Sequence, residues 1–445
     1  ASAAATAGLA ATGNAQDLVF VPGEDDRFDW ASYEEFAAAH DLSGQELTIT
    51  GPWTGNDNEL VQSMLNYFRA ATGADVSYTG SESFEQDIVI SLTAGSPPNL
   101  AAFPQPGLAA DMAARGLLAP LGEETADWLR ENYAAGESWV DLSSFPDPDG
   151  ADQLFAFFYK ADVKSLVWYV PEQFEEAGYE IPETMEDLKA LTEQIVADGG
   201  TPWCIGLGSG AATGWPATDW IEDMMLRLNP PEVYDQWVSN EIPFDDPKVL
   251  AAIEEYGWFA RNDEFVDGGA AAVATTDFRD SPSGLFEFPP KCYMHRQASF
   301  IPSFFPEGTE VGVDVDFFYF PAFAEQDLGR PVLGAGTLWA IGQDSETARV
   351  FIEWLKTPIA HEVWMAQSGF LTPHMGVNPE AYATEVSRSM GDILLNATTF
   401  RFDGSDIMPG EVGAGAFWTG MVDYTTGADA GDVATSIQER WDAIQ

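Results

Sequence analysis

The sequence predicts an α/β protein of two lobes, each with a mostly parallel sheet flanked by helices, and a hinged cleft between them. Three observations carry this expectation. At 445 residues the chain exceeds what a single ordinary core holds. Short strand-like segments alternate with amphipathic helices, the pattern of a helix-covered parallel sheet. No long structureless linker divides the chain, so lobes joined by several close crossings fit better than two separate beads.

The elements follow in order. Glu46–Thr50 alternates apolar and polar residues as a strand does. Asn58 reads as the cap of a helix whose Leu60, Val61, Met64, Leu65 and Phe68 share one face, with Gly73 as its stop. Asp75–Thr79 is the next strand, which completes one βαβ unit. A helix from Ser83 to about Thr93, the apolar run Leu100–Phe103 and a helix from Gly107 to Arg115 repeat the pattern. Further helices are expected over Glu172–Gly178, Glu183–Ala197 (started by Thr184), Thr218–Leu228 and Pro247–Ala260. The last three are expected over Ser345–Lys356, Pro358–Gln367 and Asp432–Ala443. Trp203–Leu207 reads as a buried strand, and Met294–Phe305 and Val313–Phe320 as extended and rich in β-formers.

Composition excludes whole classes of partner. Lys and Arg total 19 against 72 Asp and Glu, a formal net charge of −53. A nucleic-acid binder needs basic residues against phosphate, so nucleic acid is excluded, and anionic membranes and substrates are disfavoured. An acidic surface of this kind stays soluble at high salt, where its self-repulsion is screened, and a saline habitat is a reasonable expectation. No stretch reaches the roughly 20 apolar residues of a membrane helix. The Ala-, Gly-, Ser- and Thr-rich stretch Ala1–Gln16 reads as a flexible lead after signal cleavage, or as a tether below a lipid-modified cysteine.

Catalytic and cofactor motifs are not found. His361 and Glu362 lack the second histidine of a zinc-protease helix. The glycines of Gly206–Gly210 lack dinucleotide spacing, and Ser209 lacks the nucleophile elbow. Asp147–Gly150 reads as an acidic turn more readily than a calcium loop. The histidines 40, 295, 361 and 374 are scattered, and neither a metal nor a cofactor is called for. A glycosidase carboxylate pair is the alternative from another class, although no pair stands out. What does stand out is 15 Trp, several beside Gly or Pro. An indole packs against the C–H face of a sugar while Asp, Asn, Gln and Arg bind its hydroxyl rim. Trp53, Trp215 and Trp418 are loop tryptophans of this type.

Several segments, in order, resemble one family. In Asp87–Leu100 a helix end is followed by Ser96, Pro97, Pro98, Asn99 and an apolar strand. Phe155–Tyr169 is similar to a first crossing between lobes, and Glu183–Leu188 to a helix start with Met185 where Trp is usual. Leu333–Ile341 is similar to a return strand, and Met408–Met421 to a late cleft loop. Together they resemble the family 1 extracellular solute-binding proteins of carbohydrate ABC importers. Ser83–Ile88, Phe103–Gly107, Ala212–Trp220 and Lys291–Ala298 resemble most the α-glucoside-binding members.

The resemblance implies a sugar-binding, non-enzymatic component of an importer, outside the cytoplasm (periplasmic or lipid-anchored). It would be monomeric, with a small neutral sugar and the permease subunits as partners. The expected organisation is a lead and first segment over 1–45, a first lobe over 46–158 and a second over 159–320. Residues 321–356 would return to the first lobe, and 357–445 would be the C-terminal part of the second. Cleft contacts are expected from Trp53, Asp57, Phe84, Glu85 and Gln105 at strand ends and helix starts of the first lobe. The crossing and return strand would add Lys160, Gly336 and Thr337. Thr337 departs from the acidic residue often found there. From the second lobe Trp215 is expected to touch ligand while Asp219 caps the helix behind it, and Trp418 to present an exposed stacking indole. The resemblance to the α-glucoside-binding members extends to cysteines at both Cys204 and Cys292 and implies a disulfide between them, which would fix Arg296 as a further cleft contact.

Overall fold

Glu46–Gly51 forms strand β1, with Leu47, Ile49 and Gly51 turned inward and Glu46 and Thr48 facing water, as the period of two requires. This is a computed structural model, and it describes residues 18–134, 136–367, 369–396 and 399–444; the expected lead Ala1–Gln16 lies outside them. After β1 come β2 (Asp75–Gly80), β3 (Leu100–Phe103), the hairpin β4 (Ser144–Pro146) and β5 (Asp152–Leu154), β6 (Ala156–Val163) and β7 (Leu166–Tyr169). The remaining strands are β8 (Met294–Arg296), β9 (Asp316–Tyr319), β10 (Pro331–Ile341) and β11 (Thr399–Phe402).

The first lobe is built on a sheet of order β11-β10-β3-β1-β2, with β6 also paired to β10. β1 runs parallel to β2 and β3, and β10 parallel to β11. The two long strands β6 and β10 are antiparallel to each other, and β10 is antiparallel to β3. Both β6 and β10 are buried along their whole length, so they read as apolar runs rather than alternating ones. The Gly55–Thr72 helix begins one turn before the expected Asn58, because Gly55 takes φ 55° and turns the chain directly out of the loop after β1. It ends where expected, at Gly73 with φ 74°, whose N–H donates to the Arg69 carbonyl at 2.8 Å.

The second lobe carries a three-stranded antiparallel sheet, β8-β7-β9. The strand expected over Trp203–Leu207 is reduced to single bridges, in which Trp203 runs parallel to Val266 and Met294. Pro202 has no N–H to donate, and close approaches at Gly206 and Gly208 crowd the Thr276–Asp277 backbone. Extended structure after Met294 stops at Arg296, and Ile301–Phe304 turns into a 3₁₀ helix at Pro302. The late helices lie within two residues of their expected limits: Glu346–Leu355, Pro358–Met365 and Ala430–Asp442.

Two apolar cores result: one is centred on the first lobe and reaches Trp168, Phe278, Cys292 and Phe305 across the crossings, and the other lies in the second lobe and reaches Leu333 of β10. Folding begins before the expected Glu46: Asp29 caps a helix over Trp30–Ala39, and its Trp30, Tyr33 and Phe36 pack on Tyr67, Phe68 and Trp354 of the first core. The stretch from Thr357 to Phe402, expected with the second lobe, contributes Ile359, Val363, Trp364, Phe370 and Phe402 to the first core instead. Its Pro358–Met365 helix lies on the Gly55–Thr72 helix, where an apolar face is free to receive it. The lobes are stitched near Lys164 and Ser165, where Leu333 N–H donates to Ser165 Oγ at 2.9 Å.

Candidate functional site

Between the lobes lies a cleft with a cavity volume of about 170 Å³. Three strand-to-helix junctions of the first lobe edge it, where open α/β sheets place their binding loops. Trp53 and Asp57 follow β1, Glu82 and Glu85 follow β2, and Gln105 follows β3. The crossings form its floor: Lys160 and Asp162 on β6, Lys164 beyond it, Gly336 and Thr337 on β10, and Asp403 and Asp406 after β11. Trp215, Phe278, Phe300 and Trp418 wall the second-lobe side.

The aromatic wall is continuous. Trp215 is half-buried and meets Phe278 edge to face, 4.9 Å between ring centres, while Phe300 stands 5.9 Å from it. Lys160 Nζ lies 5.4 Å over the Phe300 ring and is paired with Asp162 at 2.7 Å. Lys164 Nζ lies 5.3 Å over Trp215 and is held by Asp219 at 2.7 Å and by Asp403. Arg279 pairs with Asp277 at 3.2 Å. Each basic group in the cleft is therefore already neutralised.

The acceptors are less well compensated. Burial pushes the Asp57 carboxyl up to about 6, against the pull of Lys160. Burial also raises Glu85, whose Oε1 accepts from Gln105 Nε2 at 3.0 Å. Such groups suit hydroxyl donors, since they gain from each hydrogen bond that a ligand brings. At the mouth the lobes already touch: Asn56 Nδ2 donates to the Ser303 carbonyl at 2.6 Å. The floor is equally tight. A Cβ at Gly214 would overlap the Trp418 carbonyl, and one at Gly107 that of Met408.

Of the residues expected in the cleft, Trp53, Asp57, Glu85, Gln105, Lys160, Trp215, Gly336, Thr337 and Trp418 line it together. Phe84 does not; it is fully buried behind the wall, 5.4 Å edge-on to Phe103. Arg296 does not either. Its Nη2 donates to Asp223 Oδ2 at 2.5 Å and to the Asp219 carbonyl at 3.0 Å, on the far side of the floor. Trp418 lines the cleft but is only 2% exposed rather than an open indole, because a π-helical turn over Val412–Phe417 folds it inward. Trp53 is likewise mostly core, against Trp339 and Trp364. Asp219 caps nothing. The Trp215–Leu228 helix starts four residues earlier than Asp219, and leaves that carboxylate buried in its second turn.

Sequence reasoning missed Lys164, Phe278, Arg279, Phe300, Asp403 and Asp406. Lys164 had a usable signal: a lysine closing an apolar run is rarely buried without a carboxylate partner. The Cys204–Cys292 disulfide expected from the resemblance is present, with Cα atoms 5.5 Å apart. Gly284 lies under it, where a Cβ would come within 2.6 Å of Cys292 Sγ.

Residues 51–362 match the model of the bacterial extracellular solute-binding protein family. The chain is 66% identical to the "Alpha-glucosides-binding periplasmic protein AglE" of Rhizobium meliloti, over 97% of this chain and 94% of that one. It is 41% identical to the "Osmoprotective compounds-binding protein GgtB" of a Synechocystis strain, over 90% of this chain and 93% of that one. Among solved structures, the bacterial solute receptor AcbH superposes with a TM-score of 0.77 at 18% identity, covering 90% of this chain and all of that chain; this likeness speaks for the fold alone. The two-lobed α/β fold, its cleft and the extent of these matches agree, and the chain belongs to the bacterial extracellular solute-binding proteins.

Proposed function

We propose that this protein captures an α-glucoside, or a similarly small neutral glycoside, in the interlobe cleft and presents it to the permease of an ABC importer. The observation that carries the reading is the cleft itself. Trp215 and its phenylalanine neighbours offer an apolar face opposite Asp57 and Glu85, and every cleft cation is already paired. A neutral polyol satisfies those acceptors, whereas an anionic glycoside meets excess negative charge. The 66% identical relative named for α-glucosides supports the sugar class.

The protein acts outside the cytoplasm, as its family does, through a tether or free, and as a monomer. Closure turns about the crossings near Lys164, between Phe320 and Pro331, and at Asp403; ligand favours the closed state because only that state contacts it from both sides. Residues 46–163, 331–356 and the packed parts of 18–45 and 357–402 then move as one lobe against 166–320 and the stretch after Asp403. The hydrolase alternative finds no support in a family of binding proteins.

Thermal unfolding against a sugar panel tests this. Maltose, trehalose and sucrose should stabilise the protein by about 2.7 kcal/mol at a hundredfold excess over Kd. Cellobiose and a glucuronide should not, and no monosaccharide should be released. A panel without any stabilising α-glucoside would reject the substrate class.

A further inference from the structure

Beneath the cleft floor sits a cluster of ionisable groups that are at most 7% exposed. Asp219, Glu222, Asp223 and Arg227 come from the Trp215–Leu228 helix, Lys164 from the β6–β7 connection, Arg296 from β8, and Asp403 and Asp406 from the turn after β11. Tyr234, from the neighbouring helix over Pro231–Val238, closes the far side and donates to the Phe402 carbonyl at 2.8 Å. Glu85 faces Asp406 from the first lobe. Five carboxyls of the cluster, with Glu85 as a sixth at its edge, thus face three cations.

The pairing divides unevenly. Asp223 takes both guanidiniums, Arg227 and Arg296, each at 2.5 Å, and accepts from Ser165 Oγ at 2.7 Å. Lys164 alone remains for Asp219, Glu222, Asp403 and Asp406. Carboxylate oxygens of Asp219, Glu222 and Asp403 all lie within 4.8 Å of one another. Two of the oxygens, Asp219 Oδ2 and Glu222 Oε2, have no donor among the described residues. Arg296 is 3.9 Å from Asp219 Oδ2, too far to serve. A bare carboxylate oxygen in such a place costs several kcal/mol, more than a folded protein of ordinary stability tolerates twice.

A proton removes the difficulty. If each orphan oxygen carries one, it becomes an O–H donor, and the carboxyl grouped with both acids is Asp403. We infer that Asp219 and Glu222 are held as neutral carboxylic acids that donate to an ionised Asp403, and that they are positioning residues for sugar binding. Lys164, Asp403 and Asp406 are the members of this cluster that reach the cleft, so the two acids, through Asp403, fix what the ligand meets there. The directions agree. Burial, and then the charge of Asp403, hold Asp219 and Glu222 well above the carboxylate range. Asp403 falls to about 2 despite its burial, under the pull of Lys164 and of contacts from Glu222 and Asp219. A hard cation fits less well. Six to eight oxygens are wanted by calcium, and Lys164 already fills the centre. The role in sugar binding rests on the function proposed above, whereas the protonation does not.

The test therefore has an arm without sugar. Glu222→Gln imitates the neutral acid, accepting from Ser405 N–H and donating to Asp403. A group that keeps its proton only when folded loses stability as pH rises above its unfolded value. Urea unfolding of wild type and Glu222→Gln at pH 5.5, 6.5 and 7.5 should show the wild-type unfolding constant gaining about tenfold per pH unit on the variant. A ratio independent of pH means an ionised Glu222 and overturns the inference. Should Glu222→Gln fail to fold, Asp219→Asn takes its place under the same criterion. Should both fail, the infrared spectrum of the wild type at pH 7.5 decides: a protonated-carboxyl carbonyl band is expected, and its absence overturns the inference. In the sugar arm, titration with maltose and trehalose should find Glu222→Leu weakened at least tenfold and Glu222→Gln restoring most of the loss. Equal weakening by Gln would show that the charge was needed and would reject the positioning role.

Discussion

Arg279 of the second lobe reaches within 3.9 Å of Glu82 of the first, across the mouth of the cleft, while its main partner remains Asp277 in its own lobe. Both side chains keep contact with water, so the bridge is a weak latch rather than a source of affinity. Arg279→Ala should raise the sugar dissociation rate about two- to fivefold with little effect on unfolding, and the difference should vanish at high salt. Stopped-flow fluorescence at low and high ionic strength measures both.

Trp215 and Trp418 should separate binding from folding. Trp215 is half-buried and walls the cleft, so Trp215→Ala should weaken binding by about 2 kcal/mol or more while the fold loses little. Trp418 is almost wholly enclosed, and Trp418→Ala should cost about 3–5 kcal/mol of stability as well as affinity. Calorimetric titration beside denaturant unfolding distinguishes the two. A Trp215→Ala variant that binds like wild type would remove it from the site.

Sugar affinity should depend on pH through Asp57. Its carboxyl ionises at about 6, and the carboxylate is the better hydroxyl acceptor, so affinity should fall as pH drops through 6. Asp57→Asn should flatten that step. Titrations at pH 5, 6, 7 and 8 provide the check.

Stability should move the opposite way through Glu362, which burial raises from 4.5 to about 7 although it accepts from Asp29 and Asn378 N–H groups. The folded state then holds this proton more tightly than the unfolded one. Stability contributed by the group is therefore largest at low pH, declines as pH rises from 4.5 to about 7, and is level beyond. Glu362→Gln should remove its share of the decline in urea unfolding midpoints across that range.

The Cys204–Cys292 bridge spans 88 residues of sequence, so it restricts a long loop in the unfolded chain. Replacing both cysteines with Ala should cost on the order of 4 kcal/mol. Thiol titration of the unreduced, unfolded protein should find neither cysteine free.

Local patterns were sufficient for much of this. Period-two alternation marked β1, an apolar run marked β3, the resemblance of Leu333–Ile341 marked β10, and Thr184, Ser345 and Gly73 delimited their helices through bonds that reach only three or four residues along the chain. Ordered motifs located nine of the residues that line the cleft, because strand ends and helix starts converge there in this topology. What the sequence by itself determined was thus the α/β class and the edge of the site, with a charge balance that disfavours anionic partners. Only tertiary structure decided where the Thr357–Phe402 stretch packs, that Phe84 and Arg296 turn away from the cleft, and that Asp219 joins a buried cluster instead of capping a helix. These depend on contacts between residues far apart in sequence. A carboxylate has the same local pattern whether it caps a helix or meets Lys164 from another strand, and the energies that tell the two apart arise only once water has been excluded around both.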